Sequence, residues 1–235
     1  MSFTKSRSIT VAFFALVASL VSSPIWAQMS KYQEGVHYFK IDQASTEAPD
    51  GSIQLMEAFS YMCSHCNTFE PYIADWLTRK PEHVKFVRVP VIFGRQTWEL
   101  YARAYVTAEL MGVANDAHPS MMDALWKEKK IMRSMEEIGD FYSAFGVSAS
   151  DFLATSKSFA VDARMRKDQR LTQTYGVNGT PTLIVNGKYL IRGSKAVPNY
   201  DVMLDVVDTL IAQETAAAAV KQQAEAETEP GAENG

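Results

Sequence analysis

Two cysteines stand where an apolar run gives way to a helix-patterned one, and this junction limits the fold more than any other feature. Ile53 to Phe59 (Ile-Gln-Leu-Met-Glu-Ala-Phe) reads as a buried strand. It is short, apolar and followed by turn residues. Ser60 and Tyr61 lead into Cys63-Ser64-His65-Cys66. From Thr68 to Arg79, Phe69, Ile73, Trp76 and Leu77 recur at helical spacing, with Pro71 early enough to kink the helix. Val84 to Phe93 is a second strand, ending near Pro90, whose missing N–H does not suit a central ladder. A β-α-β unit is expected, and a Cys-x-x-Cys at its strand-to-helix turn reads as a thioredoxin-like redox motif.

The chain contains 2 cysteines, both in this motif. A disulfide between them closes a very small loop. By chain entropy such a bridge is a weak staple, so its value is chemical. Two metal readings compete. Half a zinc site needs a second pair of ligands, and no second Cys pair exists, while His83 and His118 fall on other elements. Copper(I) suits Cys63, Cys66 and methionine sulfur. Met111, Met121, Met122, Met132 and Met135 are better read as filler in a helical core. The expectation is no metal and no cofactor. His37, His83 and His118 read as surface or loop residues.

Beyond Trp98 the pattern is helical as far as Tyr175. Trp98, Tyr101, Ala102 and Tyr105 share one face. Pro119 is expected to open a helix carrying Met121, Met122, Leu125 and Trp126. Ile138, Phe141, Tyr142 and Phe145 line a third, and Ser150 is placed as the cap of a short fourth. Arg164, Arg166, Lys167 and Arg170 read as a solvated face. Strand character returns at Thr182–Val185 and Lys188–Arg192. They are joined by Asn186-Gly187, a strong hairpin signal. After Pro198, Val202, Met203, Val206, Val207, Leu210 and Ile211 mark a final helix. The fold class is therefore α/β. The expected division is a leader at 1–27, a thioredoxin-like domain at 28–95 and 176–213, an inserted all-helical domain at 96–175, and an acidic, disordered tail at 214–235.

The leader reading rests on Lys5 and Arg7, an uncharged stretch from Ile9 to Val21, and small residues before Gln28. That is the layout of a cleaved signal peptide, with the cut after Ala27. It places the chain in an oxidising compartment, best a bacterial periplasm, where disulfides persist. The formal net charge is −4, and the leader carries two of the basic residues. An acidic chain with no dense basic patch argues against nucleic acid as partner.

The motifs Glu57-Ala58-Phe59-Ser60-Tyr61-Met62-Cys63-Ser64-His65-Cys66 and Gly179-Thr180-Pro181-Thr182 resemble those of the DsbA family of periplasmic thiol:disulfide oxidoreductases. The likeness extends over nearly all the chain outside its acidic end. Two departures are visible: Ser64 where the family usually has Pro, and Thr180 where Val is common. The resemblance implies a thioredoxin fold interrupted by a helical domain. It further implies a monomer that introduces disulfides into reduced, unfolded secreted proteins and is reoxidised by a DsbB-like, quinone-linked membrane partner. It also makes Pro181 cis and sets it facing the cysteines. Glu57 then matches an acidic residue beneath the active site.

Each residue has a physical role in that scheme. Cys63 begins a helix, where free N–H groups and the positive dipole end favour a thiolate. His65 is placed to add to this. Cys66, one turn on, is the buried resolving thiol. Stabilising the Cys63 thiolate stabilises the reduced form, so the oxidised form donates its disulfide readily. The Thr180 backbone can pair with an extended substrate. Glu57, if buried, can relay protons to Cys66; the competing reading is an exposed strand residue. Two other functions compete. One is an isomerase or reductase of the same fold, against which only Met29 to about Ser52 precedes the first active-site strand, too little for a dimerisation domain. The other is a metal- or peptide-holding protein without turnover.

Overall fold

The computed structural model describes residues 31–42 and 52–228. The expected leader and the last residues of the tail lie outside them. The elements run β1 (Phe39–Lys40), β2 (Ile53–Phe59), α1 (Ser64–Arg79), β3 (Val84–Pro90), α2 (Gln96–Leu110), α3 (Ala114–Trp126), α4 (Met135–Tyr142), α5 (Ala149–Ser156), α6 (Phe159–Thr174), β4 (Thr182–Val185), β5 (Tyr189–Arg192) and α7 (Tyr200–Thr228).

The sheet has the order β1-β5-β4-β2-β3. β2 is parallel to β3 and antiparallel to β4, while β4 and β5 form the hairpin. Asn186 and Gly187 both have positive φ, 52° and 63°, as the expected tight hairpin turn requires. β2 alternates its burial between two cores. Leu55 packs with Leu183, Val185 and Ile191 beneath Phe69, Ile73 and Trp76 of α1 and Val206, Val207 and Leu210 of α7. Met56 and Ala58 face Val89, Ile184 and Tyr175 on the other side. Apolar area is removed from water on both faces, which fixes the register of this central strand.

The helical segment α2–α6 has its own core of Tyr101, Tyr105, Met121, Met122, Ile138, Tyr142, Phe152 and Val161. Tyr142 and Phe152 stack at 4.5 Å. Phe59, Tyr61, Cys63 and Cys66 belong to the same cluster, so the cysteine turn sits at the seam with the sheet domain.

Several local expectations are corrected. α1 starts at Ser64, in line with Cys63 beginning the helix but ahead of the stretch that periodicity marked from Thr68, because its first turn carries polar residues that periodicity does not register. Pro119 lies inside α3 rather than opening it. Ala114, Ala117 and His118 are buried, and packing of this face starts the helix earlier. Ser148, not Ser150, caps α5 by accepting from the Asp151 N–H. Arg164 is not simply solvated: it pairs with Asp168 at 2.8 Å and Glu109 at 2.7 Å. The tail expected from 214 is helical through Thr228, and Glu214 is buried, holding Asn186 and Lys188 at 2.6 and 2.7 Å.

Candidate active site

β2 ends at Phe59, and the chain turns through Ser60 to Cys63, whose N–H donates to the Ser60 carbonyl at 3.0 Å. Cys63 is the N-cap of α1, with extended φ and ψ, and its carbonyl accepts from the Asn67 N–H. Its sulfur therefore lies at the open, positive end of a helix of 16 residues. Both cysteines are free thiols here.

The two thiols have opposite environments. Cys63 is held down to about 5, chiefly because the Cys66 thiol donates to its sulfur. Burial opposes this, while Thr180 and the backbone N–H groups of Cys66 and His65 reinforce it. Cys66 is 1% exposed. Burial first, then the neighbouring Cys63 sulfur and the Glu57 charge, push it far above its ordinary range. One cysteine is a thiolate at neutral pH and its neighbour is a thiol.

β4 brings the second motif. Because β2 and β4 are antiparallel with Ala58 opposite Thr182, the end of one strand meets the start of the other. The Thr180–Pro181 peptide is cis. The Cys63 sulfur lies 3.4 Å from the Thr180 carbonyl oxygen, to which it donates only while protonated. Beside them lies a groove of about 610 Å³ lined by His65, Thr180, Pro181, Arg192, Tyr200 and Met203. His65 is exposed. Its carbonyl accepts from the Tyr200 hydroxyl at 3.0 Å, tying α7 to the cysteine loop.

Glu57 is buried, which excludes its reading as an exposed strand residue. Burial raises its carboxyl to about 7 against the opposing pull of Arg88. Arg88 stands opposite it in the β2–β3 register and donates at 3.0 Å. The same guanidinium reaches Glu70 of α1 at 3.2 Å. Glu70 in turn meets His118 Nε2 at 3.1 Å, and His118 Nδ1 meets the Tyr61 hydroxyl at 3.0 Å. His118 is 1% exposed, not on the surface as its sequence suggested.

Cys63, Cys66, Thr180 and Pro181 thus converge, and the buried Glu57 is close enough to act on both sulfurs electrostatically. From the sequence no site role was expected for Arg88, Glu70, His118 or Tyr61. Arg88 carried a signal, an arginine within Val-Arg-Val-Pro that strand pairing sets against Glu57. Glu70 lies one helical turn beyond Cys66. His118 had no local signal at all. Among the described residues no cluster of three or more His, Cys, Asp or Glu side chains is arranged to hold a metal.

Residues 54–205 match the model of the DSBA-like thioredoxin domain. The thiol:disulfide interchange protein DsbA of Pseudomonas aeruginosa is 37% identical over 213 residues, covering 90% of this chain and 99% of that protein. The protein of the same name from Pseudomonas syringae is 36% identical over 206 residues, 86% of this chain and 95% of its own. The crystal structure of Pseudomonas aeruginosa DsbA superposes with a TM-score of 0.73 at 36% identity, covering 82% of this chain and 98% of that one. That of the Xylella fastidiosa oxidoreductase DsbA gives 0.72 at 31%, covering 77% and 96%.

Proposed function

This chain belongs to the DsbA family and is a protein disulfide oxidoreductase that introduces disulfides; from that premise we propose how its residues carry the exchange. In the oxidised protein a substrate thiolate attacks the Cys63 sulfur. The Cys63–Cys66 bond breaks, a mixed disulfide forms on Cys63, and Cys66 leaves with the electron pair. Its sulfur is too buried to remain an anion, so it takes a proton, and Glu57 is the group placed to supply one near neutral pH. A second substrate thiolate then attacks the substrate sulfur of the mixed disulfide. Cys63 leaves as the thiolate that its helix terminus favours. The substrate loses two electrons and gains a disulfide; the protein is left as the dithiol.

The cis Thr180–Pro181 edge and the adjoining groove form the docking surface, where an extended substrate pairs with the Thr180 backbone. His65 acts on Cys63 through its backbone N–H. The substrates are reduced, unfolded secreted proteins, and a DsbB-like membrane oxidase restores the disulfide. The protein works as a monomer in the periplasm after loss of residues 1–27, with 28–95 and 176–213 as the redox domain around the insertion at 96–175. The family of its relatives and the leader-like sequence support this setting.

The observation that carries the oxidase reading is the pairing of a Cys63 thiolate with a protonated Cys66. It favours the reduced form and makes the disulfide a strong oxidant. Equilibration with glutathione buffers tests it. The expected potential is well above the roughly −270 mV of a reducing thioredoxin. A value near that figure would overturn the reading.

A further inference from the structure

Arg88 divides its guanidinium between two carboxylates. Its Nε donates to Glu57 at 3.0 Å, and its Nη2 lies 3.2 and 3.3 Å from the two oxygens of Glu70. Glu70 is gripped from its far side by His118, a residue of α3 in the helical insertion. Burial, then the charge of Arg88, holds the His118 imidazole below its ordinary value, so it is neutral at pH 7. Burial pushes the Glu70 carboxyl up, but the His118 hydrogen bond and the charge and hydrogen bond of Arg88 outweigh this and bring it below its ordinary value. An ionised carboxylate only accepts, so the single imidazole proton sits on Nε2. Nδ1 then accepts from the Tyr61 hydroxyl. One tautomer satisfies both contacts and leaves no alternative arrangement.

The titratable and charged groups around this imidazole come from four parts of the chain. Tyr61 belongs to the cysteine turn, Glu70 to α1 and Arg88 to β3. Tyr105 of α2 lies edge-on with ring centroids 6.3 Å apart. Burial raises both tyrosines above their ordinary value, so neither supplies charge near neutral pH. His118 therefore acts on the charged groups only through Glu70.

We propose that His118 is a positioning residue for the exchange reaction: by holding Glu70 against Arg88 it limits the share of the Arg88 charge that reaches Glu57, and so keeps Glu57 a proton carrier. The inference rests on the role given to Glu57 above. Without the His118 hydrogen bond, Glu70 takes a proton or turns toward solvent. Either change leaves Arg88 to Glu57 alone, and an undivided positive charge holds Glu57 ionised. The insertion thereby sets proton supply at Cys66, although α3 contributes no group that touches the sulfurs.

The test follows reduction of the Cys63–Cys66 disulfide by a small dithiol in the full chain. The rate is expressed per dithiol thiolate, from about pH 5 to about pH 9. A protonated Glu57 predicts a rate that falls as pH rises through about 7. Asparagine at 118 reaches Tyr61 but not Glu70; glutamine reaches Glu70. His118→Asn should move the midpoint of the fall down by about one unit or more, and His118→Gln should hold it within about 0.3 units. Glu70→Gln, which removes the competing charge, should reproduce the downward move even if His118→Asn does not fold. Persistence of the fall in Glu57→Gln would overturn the role of Glu57, and this inference with it. If Glu57→Gln removes the fall but His118→Asn and Glu70→Gln leave its midpoint in place, only the role of His118 fails. Equal shifts in His118→Asn and His118→Gln would mark a packing effect and would also overturn it.

Discussion

The Cys63 sulfur and the Thr180 carbonyl oxygen lie 3.4 Å apart, although 117 positions of chain separate the two residues. The antiparallel β2–β4 pairing makes this contact, with Ala58 opposite Thr182. It places the Cys63 sulfur against the backbone edge at the start of β4. Four expectations follow from the surrounding geometry.

The two cysteines should fail differently. Cys63→Ser removes the sulfur that substrate attacks, and disulfide formation in a reduced, unfolded protein should fall to background. Cys66→Ser keeps the thiolate but removes the resolving thiol. It should accumulate mixed disulfides, visible on non-reducing gels and reversed by dithiothreitol. Trapping by Cys63→Ser would reverse the assignment.

The reduced protein should be the more stable form at neutral pH. The Cys63 value is depressed from 9.0 to about 5 in the fold. Its thiolate therefore stabilises the reduced state fully above pH 9, progressively less below that, and not at all below about 5. Urea unfolding of both forms should show a gap in favour of the dithiol that narrows steadily between those limits as pH falls. A gap independent of pH would rule out the thiolate as its source.

Glu57 should cost stability where it serves chemistry. Its value is raised from 4.5 to about 7. The stability of its protonated form is fully present below 4.5 and lost as pH rises through 7. Glu57→Gln should thus stabilise the protein above pH 7, by on the order of 3 kcal/mol. The gain should shrink toward zero as pH falls to 4.5, while neutral-pH exchange slows. Paired urea titrations at several pH values read this directly. A variant less stable at high pH would mean that the Arg88 ion pair outweighs the desolvation of the carboxylate.

Trp76 separates fold from chemistry. It is fully buried, and its indole N–H donates to Asp208 at 2.7 Å, joining α1 to α7. Trp76→Phe removes a hydrogen bond to a charged group and part of a core ring. The expected loss is about 2–3 kcal/mol. The Cys63 thiolate titration should stay in place. A shift of that titration would show that α7 packing reaches the sulfurs.

The sequence made most of the elements legible because they are marked by local periodicity; the two-residue β1 is too short to show any. Ile53–Phe59 and Thr182–Val185 are short apolar runs, and Asn186-Gly187 fits only a tight turn. The errors arose where packing overrides that pattern. The turn from Ala114 to His118 joins α3 because Ala114, Ala117 and His118 are buried against other elements, and Glu214 stays in the fold because Asn186 and Lys188 reach it. His118 read as a surface histidine for the same reason: its partners, Tyr61 and Glu70, lie 57 and 48 positions away.

By itself the sequence determined that two thiols occupy a strand-to-helix turn, and hence that one of them faces a helix dipole and is reactive. Spacing and periodicity are local properties, and a helix terminus acts on its own first turn. Only the tertiary structure decided what Cys63 meets, that Glu57 is buried and acts on Cys66, and how Arg88 is shared between Glu57 and Glu70. Those depend on desolvation and on charges brought within a few ångströms by strand register and by a helix from a distant part of the chain, and neither can be read from neighbours in sequence.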